Sequence, residues 1–325
     1  MMDFLTHPAF IWSVVGLLIS LLILWIVSFF VASYLVYVLT LKRKTKEQWG
    51  RELPSEMEPD HITMYDEGLE WARENQDKKE DVHIVNNGLN LYGEYYNFGY
   101  DRCALIMSGR TESLRYGYYF AIPYAKNGCN ILVVDPRAHG LSDGTYNTVG
   151  FEESGDYAAW IKMLHEEKGI SSVVLHGICI GAAGGILALT TRDCPQIVDG
   201  IVTEGMFPNF GESVKNHMKE RRKMIFPTFL LVDMWMKKYT GHSMRKGPID
   251  VIDKLGVPLL MLHSKEDMYS TPEYAQKLFE KAGSKRKRLV WFDHGRHSML
   301  RITDTERYDN AITEFLSSLP VPTAK

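Results

Sequence analysis

The sequence predicts an open α/β sheet, mostly parallel and carrying an inserted helical cap, behind one N-terminal membrane-spanning helix. Two patterns carry that prediction. From residue 104 onward short apolar runs alternate with helical stretches, and residues 10–41 hold no charged side chain. Composition is otherwise that of a globular protein, 45% hydrophobic and 24% charged over 325 residues.

About 20 apolar residues span a bilayer, so residues 10–41 are long enough to cross with tilt or with their ends in the interface. A cleaved secretory leader fits poorly. There is no basic n-region, the apolar stretch is too long, and no small-x-small cleavage site follows. The leading flank offers Asp3 and His7, whereas Lys42, Arg43, Lys44, Lys46 and Arg51 follow the span. Basic residues are retained on the cytoplasmic side. The expectation is a single-pass protein of the cell membrane, its N-terminus outside and its large domain cytoplasmic. Residues 1–41 form the anchor, 42–80 a juxtamembrane connector with a docking helix around Tyr65–Ala72, and 81–325 the α/β domain.

Residues 83–85 and 89–96 read as a hairpin joined at Asn86-Asn87-Gly88. Continuous apolar runs follow at 104–107, 130–134, 172–175, 200–203, 259–262 and 289–292. Continuous rather than alternating apolar character marks strands buried on both faces, as in a parallel sheet covered by helices. The spacers at 116–127, 152–168, 182–191 and 272–282 suit crossover helices, and 304–316 a terminal one. The stretch between Thr203 and Leu259 is too long for one crossover and reads as a cap over about 207–256.

The strongest local signal is His176-Gly177-Ile178-Cys179-Ile180-Gly181, directly after an apolar strand and opening a helix rich in glycine and alanine. It has the form of the G-x-S-x-G nucleophile elbow with Cys179 where serine usually stands. A helix N-terminus behind the sulfur favours a thiolate and an acyl oxyanion alike. Such an elbow needs an acid and then a histidine later in the chain. Asp267 follows the 259–262 strand, with Glu266 as its neighbouring alternative. His297 follows the last strand, with His294 as competitor.

Beyond the elbow, residues 104–319 resemble the α/β-hydrolase superfamily, nearest to the serine aminopeptidase and monoacylglycerol-lipase-like group. Ser108-Gly109-Arg110-Thr111-Glu112-Ser113-Leu114-Arg115-Tyr116 looks like that group's H-G-x-x-E-H-x-x-R-Y. Asp135-Pro136-Arg137-Ala138-His139-Gly140-Leu141-Ser142-Asp143-Gly144 looks like its D-x-R-G-H-G-x-S-x-G. The tail from His297 to Tyr308 is similar to the stretch around the group's catalytic histidine, which favours His297. The resemblance implies an oxyanion hole from the backbone N–H groups of Arg110 and Ile180. The chain departs from the group at Ser108, where histidine is usual, and at Cys179.

These residues give a Cys179–His297–Asp267 acyl hydrolase acting on a small acyl or lipid-like ester or thioester. An acyltransferase with the same triad and a non-catalytic binding or redox-sensing module are the other readings. Glu112, Arg115 and Arg137 border the site and suit either a polar substrate group or a buried ion-pair network. The cap's Lys219, Arg221, Arg222 and Lys223, followed by Met224-Ile225-Phe226, suit either an anionic membrane face or a solvated helix. A formal charge of −3 excludes nucleic acid as the main partner. The four cysteines show no metal-ligand or disulfide spacing, so neither a metal nor a cofactor is implied.

Overall fold

The computed structural model describes residues 8–50 and 58–322. Asp3, His7 and Arg51, used above to orient the anchor, lie outside the described residues. The first element is a single 34-residue helix, α1 (Pro8–Leu41), the one described helix long and apolar enough to cross a membrane by length and composition. Beyond residue 32 Ser33, Tyr37 and Leu41 are buried, a spacing that puts them on one helical face, while Leu35 and Leu39 remain exposed.

Residues 42–50 are not a free connector. Arg43 donates from its guanidinium to the carbonyls of Gly140 (2.7 Å) and Ser142 (3.2 Å), and Gly140 N–H donates to Trp49 O at 2.9 Å. The docking helix, α2 (Pro59–Glu74), turns its apolar face inward. Trp71 rests against Tyr96 (ring centroids 4.9 Å apart) and Tyr118 (6.3 Å).

Strand β1 (Lys79–Asn86) begins two residues before the expected boundary and pairs antiparallel with β2 (Leu89–Tyr96) through a turn at Asn87 and Gly88, both with positive φ. Then come β3 (Arg102–Met107), α3 (Leu114–Lys126), β4 (Asn130–Val134), α4 (Phe151–Glu166), β5 (Ser172–Ile178), α5 (Ile180–Thr191) and β6 (Val198–Glu204). The cap holds α6 (Phe210–Glu220), α7 (Thr228–Thr240) and two 3₁₀ turns; β7 (Leu259–Ser264), α8 (Pro272–Lys281), β8 (Lys287–Phe292), α9 (Leu300–Thr303) and α10 (Thr305–Ser318) complete the chain.

The eight strands lie in the order β1-β2-β4-β3-β5-β6-β7-β8, parallel from β4 onward. The apolar runs are continuous because both faces are buried. Ala104, Ile106, Ile131 and Val133 point to the layer of α2, α3 and α10, while Cys103, Leu105 and Leu132 point to that of α4, α5 and α8. A third apolar cluster joins the inner end of α1 to α7 and the start of α5.

The burial of α2 yields a test. Trp71→Ala should lower unfolding stability by about 3–5 kcal/mol, as for a large buried aromatic, measured by chemical denaturation of the detergent-solubilised full chain. A loss under about 1 kcal/mol would mean that α2 is a loosely attached linker helix.

Candidate active site

The elbow forms where β5, between β3 and β6, reaches the carboxyl edge of the sheet. Cys179 holds φ 53° and ψ −106°, a conformation rare for a residue with a side chain. Its N–H donates to Glu204 O at 2.9 Å, and Ala183 N–H donates to its carbonyl at 3.2 Å. Glycine is required at 181 because a Cβ there would stand 2.0 Å from Met107 O, which presses the start of α5 against the end of β3. The sulfur is half-buried, and Ile180, the first residue of α5, has no intrahelical acceptor for its N–H.

The loop that leaves β3 passes over the sulfur. A Cβ built on Gly109 would lie 3.8 Å from Cys179 Cβ, which brings the main chain of Arg110 to the same rim. Arg110 is held from two sides. Its carbonyl meets the buried ring of His139, and its Nη1 donates to Thr40 O, in the last turn of α1, at 3.1 Å.

Asp267 and His297 arrive from the loops after β7 and β8. His297 Nδ1 and Asp267 Oδ2 are 2.7 Å apart, and Asp267 Oδ1 accepts from the N–H groups of Tyr269 (2.9 Å) and Ser270 (2.8 Å). His297 also lies within electrostatic reach of the Cys179 sulfur. With Nδ1 occupied by Asp267, Nε2 is the ring nitrogen left for it. Gly205 makes room for this line, since a Cβ there would sit 2.9 Å from His297 Cε1. Burial alone depresses an imidazole. Here the charges of Asp267 and Cys179, and the hydrogen bond to Asp267, outweigh it and hold His297 well above its ordinary 6.5. Burial likewise favours a neutral Asp267, but the His297 charge and hydrogen bond keep it below 3.8.

The alternatives fall elsewhere. His294 is exposed and pairs with Glu266 at 3.0 Å on the surface, so the two rejected candidates occupy each other. Arg137 takes the ion-pair alternative: it is buried and grips Asp156 with Nε–Oδ2 and Nη2–Oδ1 both at 2.7 Å, so its guanidinium is engaged in a structural pair. Glu112 is buried and Arg115 half-buried, both beside the Tyr65 ring of α2. Among the described residues no three His, Cys, Asp or Glu side chains are grouped as a metal site requires.

Sequence reasoning missed Glu204. It ends β6 in register with Ile178, its Oε2 accepts from Tyr308 Oη (2.7 Å), and its Oε1 accepts from Leu300 N–H (3.1 Å), three residues past His297. Burial pushes its carboxyl up to about 7. The available signal was a carboxylate closing an apolar strand beside the elbow's own strand.

Two family models match the chain: "alpha/beta hydrolase fold" over residues 105–236 and "Serine aminopeptidase, S33" over residues 249–305. Among relatives, YqkD of Bacillus subtilis (strain 168) is 28% identical over 220 residues, spanning 67% of this chain and 70% of its own. Human protein ABHD12B is 29% identical over 187 residues, spanning 53% of this chain and about half (49%) of its own. Among solved structures, the Pyrococcus furiosus esterase Pf2001 superposes with a TM-score of 0.64 at 21% identity, over 76% of this chain and 94% of that one. The esterase EaEST from Exiguobacterium antarcticum gives 0.54 at 18%, over 74% and 100%. The chain has the α/β-hydrolase fold, and family models of that kind match successive parts of it.

The pair Asp267–His297 predicts a pH signature in stability. Asp267, lowered from 3.8, stabilises the fold above that pH and less as pH falls through its lowered value. His297, raised from 6.5, stabilises it fully below that pH and less as pH rises through its raised value. Asp267→Asn should therefore cost most between these limits, about 3–5 kcal/mol, with the gap to wild type closing on the alkaline side. A stability difference that is flat with pH would mean the pair carries no charge.

Proposed function

We propose that the chain is a membrane-anchored acyl hydrolase that works through Cys179, His297 and Asp267 on an ester or thioester with an apolar acyl group. The reading rests on one observation, the hydrogen-bonded pair of His297 and Asp267 set within electrostatic reach of Cys179 at the strained end of β5.

In the reaction the Cys179 thiolate attacks the acyl carbonyl carbon. The carbonyl oxygen takes up the negative charge and receives hydrogen bonds from the N–H groups of Arg110 and Ile180, each such donor worth about 10²–10³ in rate. As the tetrahedral adduct collapses, the bond to the alcohol or thiol breaks, and His297 gives its proton to the leaving atom. A thioester on Cys179 remains. Neutral His297 then takes a proton from water as the water oxygen attacks, and collapse releases the carboxylic acid and the thiolate, which pairs again with imidazolium. Asp267 fixes the tautomer and stabilises each imidazolium. Sulfur suits esters and thioesters more than amides, because a thiolate leaves the adduct more readily than an unprotonated amine.

An apolar acyl group is favoured by the surroundings of the sulfur: Cys179 packs against the cluster that includes Ile180, Phe207 and Phe229. Anchoring by α1 is favoured by its length and by its fixed inner end. A removable leader has no need of fully buried core positions, and Tyr37 and Leu41 are both 0% exposed. Lys42, Arg43, Lys44 and Lys46 after the span favour a cytoplasmic domain.

Iodoacetamide should label Cys179 before Cys103 and Cys129, which are buried, and before half-buried Cys194. Cys179→Ala should abolish p-nitrophenyl ester turnover, and Asp267→Asn should lower kcat by on the order of 10²–10⁴. Turnover that survives Cys179→Ala would sink the nucleophile assignment. Partition of product toward added amines would turn the assignment from hydrolase to acyltransferase.

A further inference from the structure

We propose that the inner end of α1, residues 34–41, is itself a wall of the acyl-binding site and fixes the oxyanion loop, so that the anchor helix is part of the catalytic apparatus. This deepens the acyl-hydrolase reading and rests on it for the identity of the ligand.

The length of α1 is the first reason. Its 34 residues extend about 51 Å, roughly 20 Å more than a hydrocarbon core requires. The surplus coincides with the packed part, since the buried positions of α1 are Ser33, Tyr37 and Leu41. That part lies along cap helix α7. Ser33 Oγ accepts from Trp235 Nε1 at 3.1 Å, Tyr34 meets Trp235 with ring centroids 5.2 Å apart, and Tyr37 stacks on Tyr239 at 5.6 Å. The partner numbers rise together, so the two helices run parallel.

Capping is the second reason. The last carbonyls of any helix lack intrahelical donors and carry its negative pole. In α1 they are taken up by the catalytic domain: Thr40 O accepts from Arg110 Nη1 (3.1 Å) and Leu41 O from Asn147 N–H (2.9 Å). Arg110 is the residue whose own N–H stands in the proposed oxyanion hole. The helix pole thus holds the loop that must present that donor.

The third reason is the lining. Tyr37 and Leu41 belong to one apolar cluster with Ile180 and the α7 residues Val232 and Met236, and Val38 and Cys179 pack against it. A continuous apolar seam therefore leads from the sulfur along α1. Within it, Tyr37 Oη is buried with no hydrogen-bond partner among the described residues. Leaving such a hydroxyl unmatched is unfavourable, and an ester or head-group oxygen of a bound amphiphile would satisfy it. Further along α7 and the loop before it, Leu230 and Phe226 are exposed on the cap. The ligand class is a long-chain acyl ester or thioester whose chain lies between α1 and α7.

The test uses the full chain in phosphatidylcholine nanodiscs and an N-dodecyl iodoacetamide with a diazirine in its alkyl chain. Alkylation of Cys179 needs no turnover, and photolysis followed by peptide mapping then reports where the chain lies. The expected insertions are in residues 34–41 and 229–236. Insertions confined to lipid, or to α3 and α10 beyond the sheet, would overturn the proposal. Val38→Trp, which crowds the packed side chains beside Tyr37, should lower kcat/KM for a dodecanoyl ester about tenfold more than for an acetyl ester. Equal losses on both esters would mean a structural role only. If no ester is turned over yet the chain maps to α1, the hydrolase reading falls and the seam stands; turnover with the chain mapped elsewhere is the reverse.

Discussion

The main chain at Cys179 is the point on which the rest of the molecule is organised. Holding a residue with a side chain at φ 53° and ψ −106° costs on the order of 1–3 kcal/mol, and such a conformation persists only where its surroundings over-determine it. Here they do so from every side. β5 is hydrogen-bonded to β3 and β6, the start of α5 is pressed against Met107 O, and the N–H of Cys179 is tied to Glu204 O. The outcome is a half-buried sulfur at a helix N-terminus, facing the ring that the last loop brings to it. Ser298, next to that ring, also has a positive φ of 60°, so backbone strain is stored at both ends of the sulfur–imidazole contact.

Beneath this charged line lies a layer in which burial disfavours ionisation. Glu204, its carboxyl pushed up to about 7, shares Tyr308 with His176, which burial brings down to about 3. Tyr124 closes the layer by meeting His176 Nδ1 at 2.8 Å. Low dielectric makes each of these bonds stronger, and each member would be costly if left unmatched. Glu204 serves both halves of the site: its carbonyl fixes the elbow, and its carboxyl holds Leu300 and with it the loop of His297. Two parts of the chain more than a hundred residues apart are thereby set against one buried group.

The parts of this arrangement that were legible in the sequence are those with a local pattern. Continuous apolar runs gave the parallel strands because burial on both faces removes alternation, and Gly177-Ile178-Cys179-Ile180-Gly181 gave the elbow because the steric demand of the turn falls on adjacent residues. The acid and the histidine followed from chain order after strands. Arg137 was not resolved because its partner Asp156 sits on a separate helix, and nothing near Arg137 distinguishes a salt bridge from a substrate contact. Glu204 escaped notice because a carboxylate at a strand end ordinarily faces water; only the register with Ile178 makes it central. The fixed inner half of α1 was invisible for a related reason, its partner Trp235 being 202 residues away. Its surplus length alone was on the page.

That surplus bears on how the proposed anchored enzyme would meet an amphiphile. A helix joined to its domain by a flexible linker confines the site near a bilayer but leaves its orientation free. α1 enters the domain without a break, buries Tyr37 and Leu41, and has its terminal carbonyls taken by Arg110 and Asn147, so under the proposed anchoring the angle between bilayer and sulfur is set by packing. A membrane-resident ester is already ordered by the bilayer, its chain along the normal and its carbonyl near the interface. When enzyme and substrate are each oriented before they meet, less rotational freedom has to be lost in forming the attack geometry. The same packing has a second consequence: a shift of α1 along its axis would be felt first at Thr40 and Arg110, beside the proposed oxyanion donor. In the proposed reading anchoring and catalysis share one set of contacts, and the domain gains orientation at the cost of independence from α1.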